Sequence, residues 1–375
     1  MLLALALTAW TQAGSNAAAQ EPTAQEPAGQ EPAAQGPAAQ GPEGESLEAL
    51  LNPLRPSWYA RAEGVALFRN VQEDTTVAYA GQLGTDGSSI ALKRNDLDEQ
   101  FTGGGRLIFG HTFGDSRYQI ETTCLWQAPW VATASTSDLS SLLNSTPGSL
   151  FSPFTNFGNP PSTKVDYDNF VQIHEDSRFN SQEINLKGAI SSPEWMAMSI
   201  MAGVRHVGIR EQFDYYAQPS TSLADPTVFD PSRTPNTITT HTLNDLWGPQ
   251  IGVLMDLAAS PNVWLELEVK GAICDNGASR DLDATIAGTT YPHDHVWQAA
   301  AAYVGDANIT AFWRATDSLN VHIGYQLLAI EHLALACENF NESLPALTDQ
   351  TVRPPLDRRG NVVYHGPHLG VELHW

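Results

Sequence analysis

From Ser57 onward the chain reads as runs of alternating hydrophobicity joined by connections that are in turn long and short. Ten segments fit a period of two: 58–69, 103–113, 116–127, 179–190, 195–212, 240–257, 262–274, 296–315, 318–335 and 361–375. Between them lie a long stretch (70–102), two residues (Gly114 and Asp115), a long stretch (128–178) and four residues (191–194). Then come a long stretch (213–239), four residues (258–261), a long stretch (275–295), two residues (Thr316 and Asp317) and a last long stretch (336–360). A soluble sandwich alternates too, so periodicity alone leaves the class open. The connections decide. In a compact soluble domain, five loops longer than about 20 residues would count against the strands themselves. Here they fall on one side of the wall only, as in an up-and-down transmembrane barrel. The sequence therefore predicts an all-β fold: a ten-stranded antiparallel up-and-down transmembrane β-barrel over 57–375. Its turns would be periplasmic and its long loops outer, with both termini in the periplasm.

The faces agree with that reading. In 262–274, Val263, Leu265, Leu267, Val269 and Ile273 alternate with Glu266, Glu268 and Lys270. In 361–375, Leu369, Val371, Leu373 and Trp375 alternate with His368, Gly370, Glu372 and His374. Backbone amides in lipid must be satisfied within the protein, which for β-structure demands a closed barrel. The polar faces carry Arg61, Glu63, Arg106, Glu121, Glu183, Lys187, Arg205, Glu266, Glu268, Lys270, Arg314 and Glu372. Most of these would cost about 2–4 kcal/mol each against lipid at the midplane. Facing a lumen, the two signs can pair. Trp58, Trp126, Trp195, Trp247, Trp264, Trp297, Trp313 and Trp375 fall at or near strand ends, as in an interfacial girdle.

Composition excludes several classes. Lys and Arg total 19 against 42 Asp and Glu, a formal charge of −23, so no basic patch exists for nucleic acid. No apolar run is long enough for a transmembrane helix. Cys124, Cys274 and Cys337 are too few and too scattered for a disulfide framework or a CxxC metal site, and read as packing residues or incidental thiols. Residues 1–19 have the short apolar stretch and small-residue cleavage context of a signal peptide, without a basic n-region. Residues 20–56 hold a five-residue Pro-containing repeat (AQEPT, AQEPA, GQEPA, AQGPA, AQGPE, from Ala19) and read as a disordered periplasmic spacer, with a short helix expected within 44–56.

The chain resembles the porin-like outer-membrane β-barrel family described mainly from planctomycetes. The resemblance rests on WYARAEGVALFR (58–69), LDEQFTGGGRLIFGHTFGDSRYQIE (97–121), SPFTNFG (152–158), NSQEINLKG (180–188), MAGVRHVGIREQFDYY (201–216), TLNDLWGPQIGVLMDL (242–257), GYQLLAIEHLALA (324–336) and VVYHGPHLGVELHW (362–375). It implies a bacterial outer-membrane barrel, porin-like in shape, with no catalytic residues and no cofactor. It also implies outer-membrane lipid and the barrel-assembly machinery as partners, the latter recognising the terminal aromatic Trp375.

Function is less constrained. Ten strands make a barrel little wider than eight, whose interior side chains fill it, while open diffusion channels use about 16–18. The twelve lumenal charges are therefore expected either to plug the barrel as an ion-pair network or to line a narrow pore. Segment 128–178 is a candidate to fold inward. Asp214, His241, Asp245, His293, Asp294, His295 and His332 are the loop-side acid and imidazole groups that an enzyme would draw on. No nucleophile elbow or HExxH accompanies them, and the chain is not expected to be an enzyme. His293 and His295, at an i, i+2 spacing, would need further ligands to hold a metal, and no metal site is expected. Long Ser-, Thr-, Asn- and Pro-rich loops are the alternative seat of function, as a binding or adhesion surface.

Overall fold

The computed structural model describes residues 58–375 except 73, 99, 114–116, 191–194, 341–342 and 350–353. The expected signal peptide (1–19) and spacer (20–56) lie outside the described residues, as do the short turns at Gly114, Asp115 and 191–194.

The strands are β1 (Trp58–Val71), β2 (Thr76–Ala80), β3 (Ser89–Lys93), β4 (Thr102–Thr112), β5 (Tyr118–Gln127), β6 (Trp130–Ser137), β7 (Leu150–Phe151) and β8 (Asp168–Ile190). They continue with β9 (Met196–Pro219), β10 (Asn236–Ser260), β11 (Val263–Ile286), β12 (Thr289–Thr290), β13 (Asp294–Thr316), β14 (Leu319–Leu333) and β15 (Gly360–His374). Three short helices, α1 (Leu139–Asn144), α2 (Ala336–Asn339) and α3 (Leu344–Thr348), lie in the connections. All pairings are antiparallel. The hydrogen-bonded path runs β8-β5-β4-β1-β15-β14-β13-β11-β10-β9 and returns to β8 through the β8–β9 ladder, so the sheet is ring-like. At the β1–β15 seam, Trp58 and Trp375 exchange backbone hydrogen bonds of 3.2 and 3.1 Å.

The sheet holds 15 strands where the sequence predicts ten. Four of the additional short strands, β2, β3, β6 and β7, form within the stretches 70–102 and 128–178; β12 forms within 275–295. The long connections also shrink, because pairing continues into them: β9 runs to Pro219, β10 starts at Asn236, and β11 runs to Ile286. At about 3.3 Å per residue, the 25 residues of β10 extend about 80 Å. That exceeds what a strand tilted near 45° needs to cross a bilayer of about 30 Å hydrocarbon.

The two rims differ, and the side-chain pattern shows why pairing persists. Near the turns, the outward residues are apolar and the inward ones polar. On β9, Ile200, Ala202 and Val204 point out while Arg205 is buried; farther along, Arg210 and Gln212 point out while Val207, Ile209, Phe213 and Tyr215 are buried. β10 makes the same exchange: Ile251 and Trp247 lie outside on the turn side, Asp245 and His241 outside on the loop side. The period of two continues across the change; its polarity inverts. A strand leaving lipid for water can keep its ladder only if its outer face becomes polar, and its inner face is then free to build an ordinary core.

That core fills the loop-side interior. Val65, Leu67, Ile173, Val207, Ile209, Phe213, Tyr215, Leu328, Ile330 and Tyr364 from the wall pack with Phe154 from the 128–167 connection. Leu335, Ala336, Cys337, Phe340 and Leu347 from the 334–359 connection complete it. Phe340 packs between Phe213 (ring centroids 4.7 Å apart, tilted) and Phe154 (6.1 Å, edge-on).

Candidate functional site

Beneath this apolar layer the turn-side interior is built from charges, and its residues come from alternate positions of the ring strands. β1 supplies Arg61 and Glu63, β4 Arg106, β5 Glu121, β8 Glu183 and Lys187, and β9 Arg205. β11 supplies Glu266, Glu268 and Lys270, β13 Arg314 and β15 Glu372. The twelve charged positions singled out in the sequence lie on this inward face, and ion pairs tie them to one another. Arg61 bridges Glu266 (3.1 Å) and Glu372 (2.8 Å). Arg106 pairs with Glu63, and Lys187 with Glu121 at 2.6 Å. Glu183 is the densest node: it accepts from Arg205 (3.0 Å), Lys270 (3.0 Å), Gln250 (2.9 Å) and Asn185 (3.2 Å). Lys270 also reaches Glu268 at 2.7 Å. Arg314 lies near the turns, its guanidinium 6.0 Å from the Trp264 ring.

Several lining residues lie outside the twelve charges that the sequence singles out, though parity already puts His322, Gln326 and His368 on the polar face. Asp306 accepts from Arg205 at 2.8 Å and from Asn308 at 3.0 Å, yet it sits in a small-residue run (AAAAYVGDANIT) where one acid gives little pattern. Tyr59 donates to Glu121, and Gln326 reaches Arg106 at 3.2 Å. His322 and His368, both buried, flank Glu63. Only the even spacing of these polar residues along strands already assigned could have identified them. With Asp256, the inward face of this section carries eight carboxylates (Glu63, Glu121, Glu183, Asp256, Glu266, Glu268, Asp306, Glu372) against six cations (Arg61, Arg106, Lys187, Arg205, Lys270, Arg314) among the described residues.

Little space remains between them. The void that ten of them line is about 20 Å3, measured at the centre of a water molecule. That is room for roughly one or two waters. A second, smaller network caps it within the apolar layer: Arg69 pairs with Glu175 (3.0 Å) and Glu211, and Arg94 with Glu175 (3.1 Å). The backbone N–H of Ala336 donates to Glu211 at 3.0 Å, tying α2 to the wall. Burying charges of this kind is costly unless they are paired and hydrogen-bonded.

The loop-side groups do not assemble into one constellation. Asp245 contacts His206 at 2.7 Å, Asp214 accepts from Thr239 at 2.7 Å, and Asp294 accepts from Arg280 at 2.8 Å. His332 lies 5.4 Å from Tyr303, centroid to centroid, and His241 is exposed on β10. His293 and His295 do meet, on the exterior: Asp281 contacts His293 Nε2 (3.0 Å) and His295 Nδ1 (2.6 Å), while Asp283 contacts His293 Nδ1 (3.0 Å). The hydrogen bond to Asp283 raises the His293 pKa above the usual imidazole range, and Asp281 adds to it. The three cysteines are free thiols, Cys274 and Cys337 buried and Cys124 exposed.

Seven of the eight tryptophans expected in a girdle face outward: Trp58, Trp126, Trp195, Trp247, Trp297, Trp313 and Trp375. Trp264 does not. Val263 takes the outward position beside it, so Trp264 turns inward and stacks on Phe312 with centroids 4.9 Å apart. Trp297 and Trp313 lie sixteen residues apart on β13. At a usual tilt near 40° that is about 40 Å of height, close to a bilayer with its headgroups. Trp375 packs near Phe109 (6.2 Å), which also meets Trp58 (5.1 Å), in an aromatic cluster across the seam.

The family model described as "Putative beta barrel porin-7 (BBP7)" matches residues 58–375, the whole described span. Comparison with curated proteins gives no match. Among solved structures, the chain is similar to the outer membrane protease OmpT from Escherichia coli: TM-score 0.45, 10% identity, covering 85% of this chain and 96% of that one. It is also similar to the outer membrane protein OprG from Pseudomonas aeruginosa (TM-score 0.28, 9% identity, 86% and 98% covered). A third is the toluene transporter TodX from P. putida (TM-score 0.22, 8% identity, 88% and 93% covered). Likeness at this level carries no argument about substrate or chemistry.

Proposed function

The chain belongs to the Putative beta barrel porin-7 family, and from that premise we propose that it is a sealed outer-membrane barrel with a structural role in the envelope. The ten ring strands form the transmembrane wall, and the aromatic residues at its two levels sit in the two membrane interfaces. The turn rim, with Trp58 and Trp375, faces the periplasm, and the long connections face outward. Outer-membrane lipid surrounds the wall, and the barrel-assembly machinery engages the strand ending in Trp375. Deleting Trp375 should therefore reduce the amount of inserted barrel; normal insertion of the shortened chain would sink that role.

The observation that carries the reading is the filled interior: paired charges around about 20 Å3 of space, closed above by an apolar layer. An open diffusion pore needs a continuous aqueous path, and hydrated ions do not enter hydrocarbon. The charged network then stabilises the barrel rather than selecting solutes, and the protein has no catalytic role. The test is planar-bilayer conductance of the full chain, its folding verified by heat-modifiable migration. A silent, folded barrel is expected. Steps whose ion selectivity shifts when Glu266, Glu268 or Arg106 is neutralised would replace this reading with a narrow pore.

A second reading, contact through the outer loops, is favoured by α1, which holds Leu139, Leu142 and Leu143 at 63%, 47% and 79% exposure. Exposed apolar groups clustered on one loop mark contact surfaces more often than isolated ones do. Changing all three to Ser should leave folding and conductance untouched and lower cell-surface adhesion; unchanged adhesion would remove this reading.

A further inference from the structure

At the boundary between the charged and apolar sections, three neighbouring strands aim one carboxylate and two imidazoles at one another. β15 lies between β1 and β14. Glu63 on β1 and His322 on β14 are both register partners of Gly370, and His368, two residues earlier on β15, is the partner of Val65 and Gly324. The two glycines make the convergence possible. A Cβ at Gly370 would come within 2.8 Å of Glu63 Cγ and 2.9 Å of His322 Nε2, and one at Gly324 within 2.5 Å of His368 Nε2. No side chain larger than hydrogen fits at either place without displacing these groups.

The three side chains are completely buried. His322 Nε2 lies 3.0 Å from Glu63 Oε1, and His368 Nδ1 lies 3.5 Å from Glu63 Oε2. One donor atom from each residue falls within a mutual 4.8 Å. A tetrahedral ion with bonds of about 2.0–2.1 Å sets its ligands roughly 3.3 Å apart. Small side-chain rotations bridge the difference. The hydrogen bonding is also incomplete: His368 Nδ1 and Nε2 and His322 Nδ1 are buried without a hydrogen-bond partner. Buried polar atoms are ordinarily satisfied, and three unsatisfied ring nitrogens beside one carboxylate call for an explanation.

We propose that Glu63, His322 and His368 bind one first-row divalent metal ion, with Zn2+ as the reference. Two imidazoles and a carboxylate suit the borderline ions of that row better than Mg2+ or Ca2+, which prefer all-oxygen shells. The imidazoles ligate in their neutral form, so as the ion takes His322 Nε2 the ring proton that Nε2 shared with Glu63 is carried instead on Nδ1. Arg106 remains on Glu63 and opposes the ion, but carboxylates outnumber cations in the section as a whole, which favours a cation there. The site ties β1, β14 and β15 together across the seam. It stands whether or not the lumen conducts.

The experiment is zinc titration calorimetry on the full folded chain in detergent after chelator treatment, with Co2+ absorption as a second readout. One Zn2+ per chain is expected. His322→Gln and His368→Gln should each weaken binding by at least the roughly 10–100-fold lost when a supporting contact to a metal site is removed. A His293→Gln/His295→Gln double variant should bind as the parent does, which separates the buried site from the exterior histidines. If the Gln variants fail to show heat-modifiable migration, His368→Cys is the arbiter: it keeps a ligand and adds a sulfur-to-cobalt charge-transfer band. A folded parent that takes up no stoichiometric zinc overturns the site. So does binding lost with the exterior variant but kept in the lumenal ones, or a His368→Cys spectrum without the sulfur band.

Discussion

The same strands line two interiors of opposite chemistry. β1 contributes Arg61 and Glu63 to the turn-side section, then Val65 and Leu67 to the loop-side core. β14 contributes Asn320, His322 and Gln326, then Leu328 and Ile330. On the outer surface the order reverses, from Ile251 and Trp247 to Asp245 and His241 on β10. The environment outside each section sets what is inside. Where the wall meets lipid, its outer face consumes the apolar residues, and the polar ones turned inward must neutralise one another. Where the wall meets water, the barrel is an ordinary soluble one, with a hydrocarbon core. Specific pairing holds the first section together, buried area the second, and the two should fail differently.

The largest effect is expected at Glu183, where Arg205, Lys270, Gln250 and Asn185 converge. Glu183→Ala leaves two buried cations short of a partner, a change that costs about 3–5 kcal/mol. Urea unfolding of the lipid-embedded barrel should show the loss. A cost below about 1 kcal/mol would mean that Asp306 and Glu268 re-pair both cations and that the network is redundant rather than specific.

The matching change in the loop-side core is Phe340→Ala, which removes the ring between Phe213, Tyr215 and Phe154. Truncating a buried Phe costs about 3 kcal/mol or more. Here the loss should depend little on ionic strength, and the turn-side ladder should keep its protection from hydrogen exchange. If unfolding of the two sections stays fully coupled, their independence is wrong.

Much of this contrast is legible in the sequence, and its limits are physical. The ring strands were traceable because alternation over lipid is strong: the segment 58–69 becomes Trp58–Val71, and 361–375 becomes Gly360–His374. The inward placement of Arg61, Glu266 and Lys270 follows from parity alone. The extensions of β9, β10 and β11 were not traceable as strands, because polarity inverts where they leave lipid and Asp281, Asp283 and Thr239 then read as loop residues. The inward packing of Phe340 depends on contacts with Phe213, Tyr215 and Phe154, all over a hundred positions away, which no local pattern encodes. The convergence of Glu63, His322 and His368 likewise needs the register of three strands, and no local spacing contains it.

A third change tests a charge that the loop-side region buries without matching it. Asp168, at the start of β8, is fully buried, and neither carboxylate oxygen has a hydrogen-bond partner. Burial pushes its pKa well above the usual carboxylate range, and Asp166 adds to the push against Arg233. The folded state thus favours the protonated acid. Its contribution to stability is fully present below the unfolded value near 3.9 and is lost as pH rises through the folded value. Asp168→Asn should therefore stabilise the barrel at neutral pH by about 1–3 kcal/mol and flatten that part of the pH dependence. Equal melting of parent and variant at neutral pH would show that Asp168 has an adequate counter-charge.

The smallest effect is expected at Asp138, which does on the loop side what the lumenal carboxylates do inside, but in contact with water. It caps α1 by accepting from the Ser141 N–H (3.1 Å) and the Ser140 hydroxyl (2.8 Å). It also accepts from the Ser149 N–H (3.0 Å) and hydroxyl (2.8 Å), just before β7 enters the sheet. Partial burial opposes ionisation, yet these hydrogen bonds hold its pKa down at about 2. The sign is the reverse of that at Asp168: the contribution is present above about 3.9 and is lost as pH falls through about 2. Asp138→Ala should cost about 1 kcal/mol, the usual value of a lost cap. Because the cap touches only the 138–151 stretch, hydrogen exchange should quicken at Ser141 and Ser149 and stay unchanged at Gln326 and Leu328. Faster exchange at Gln326 would mean that this connection supports the charged section directly, and the separation between the two interiors would have to be redrawn.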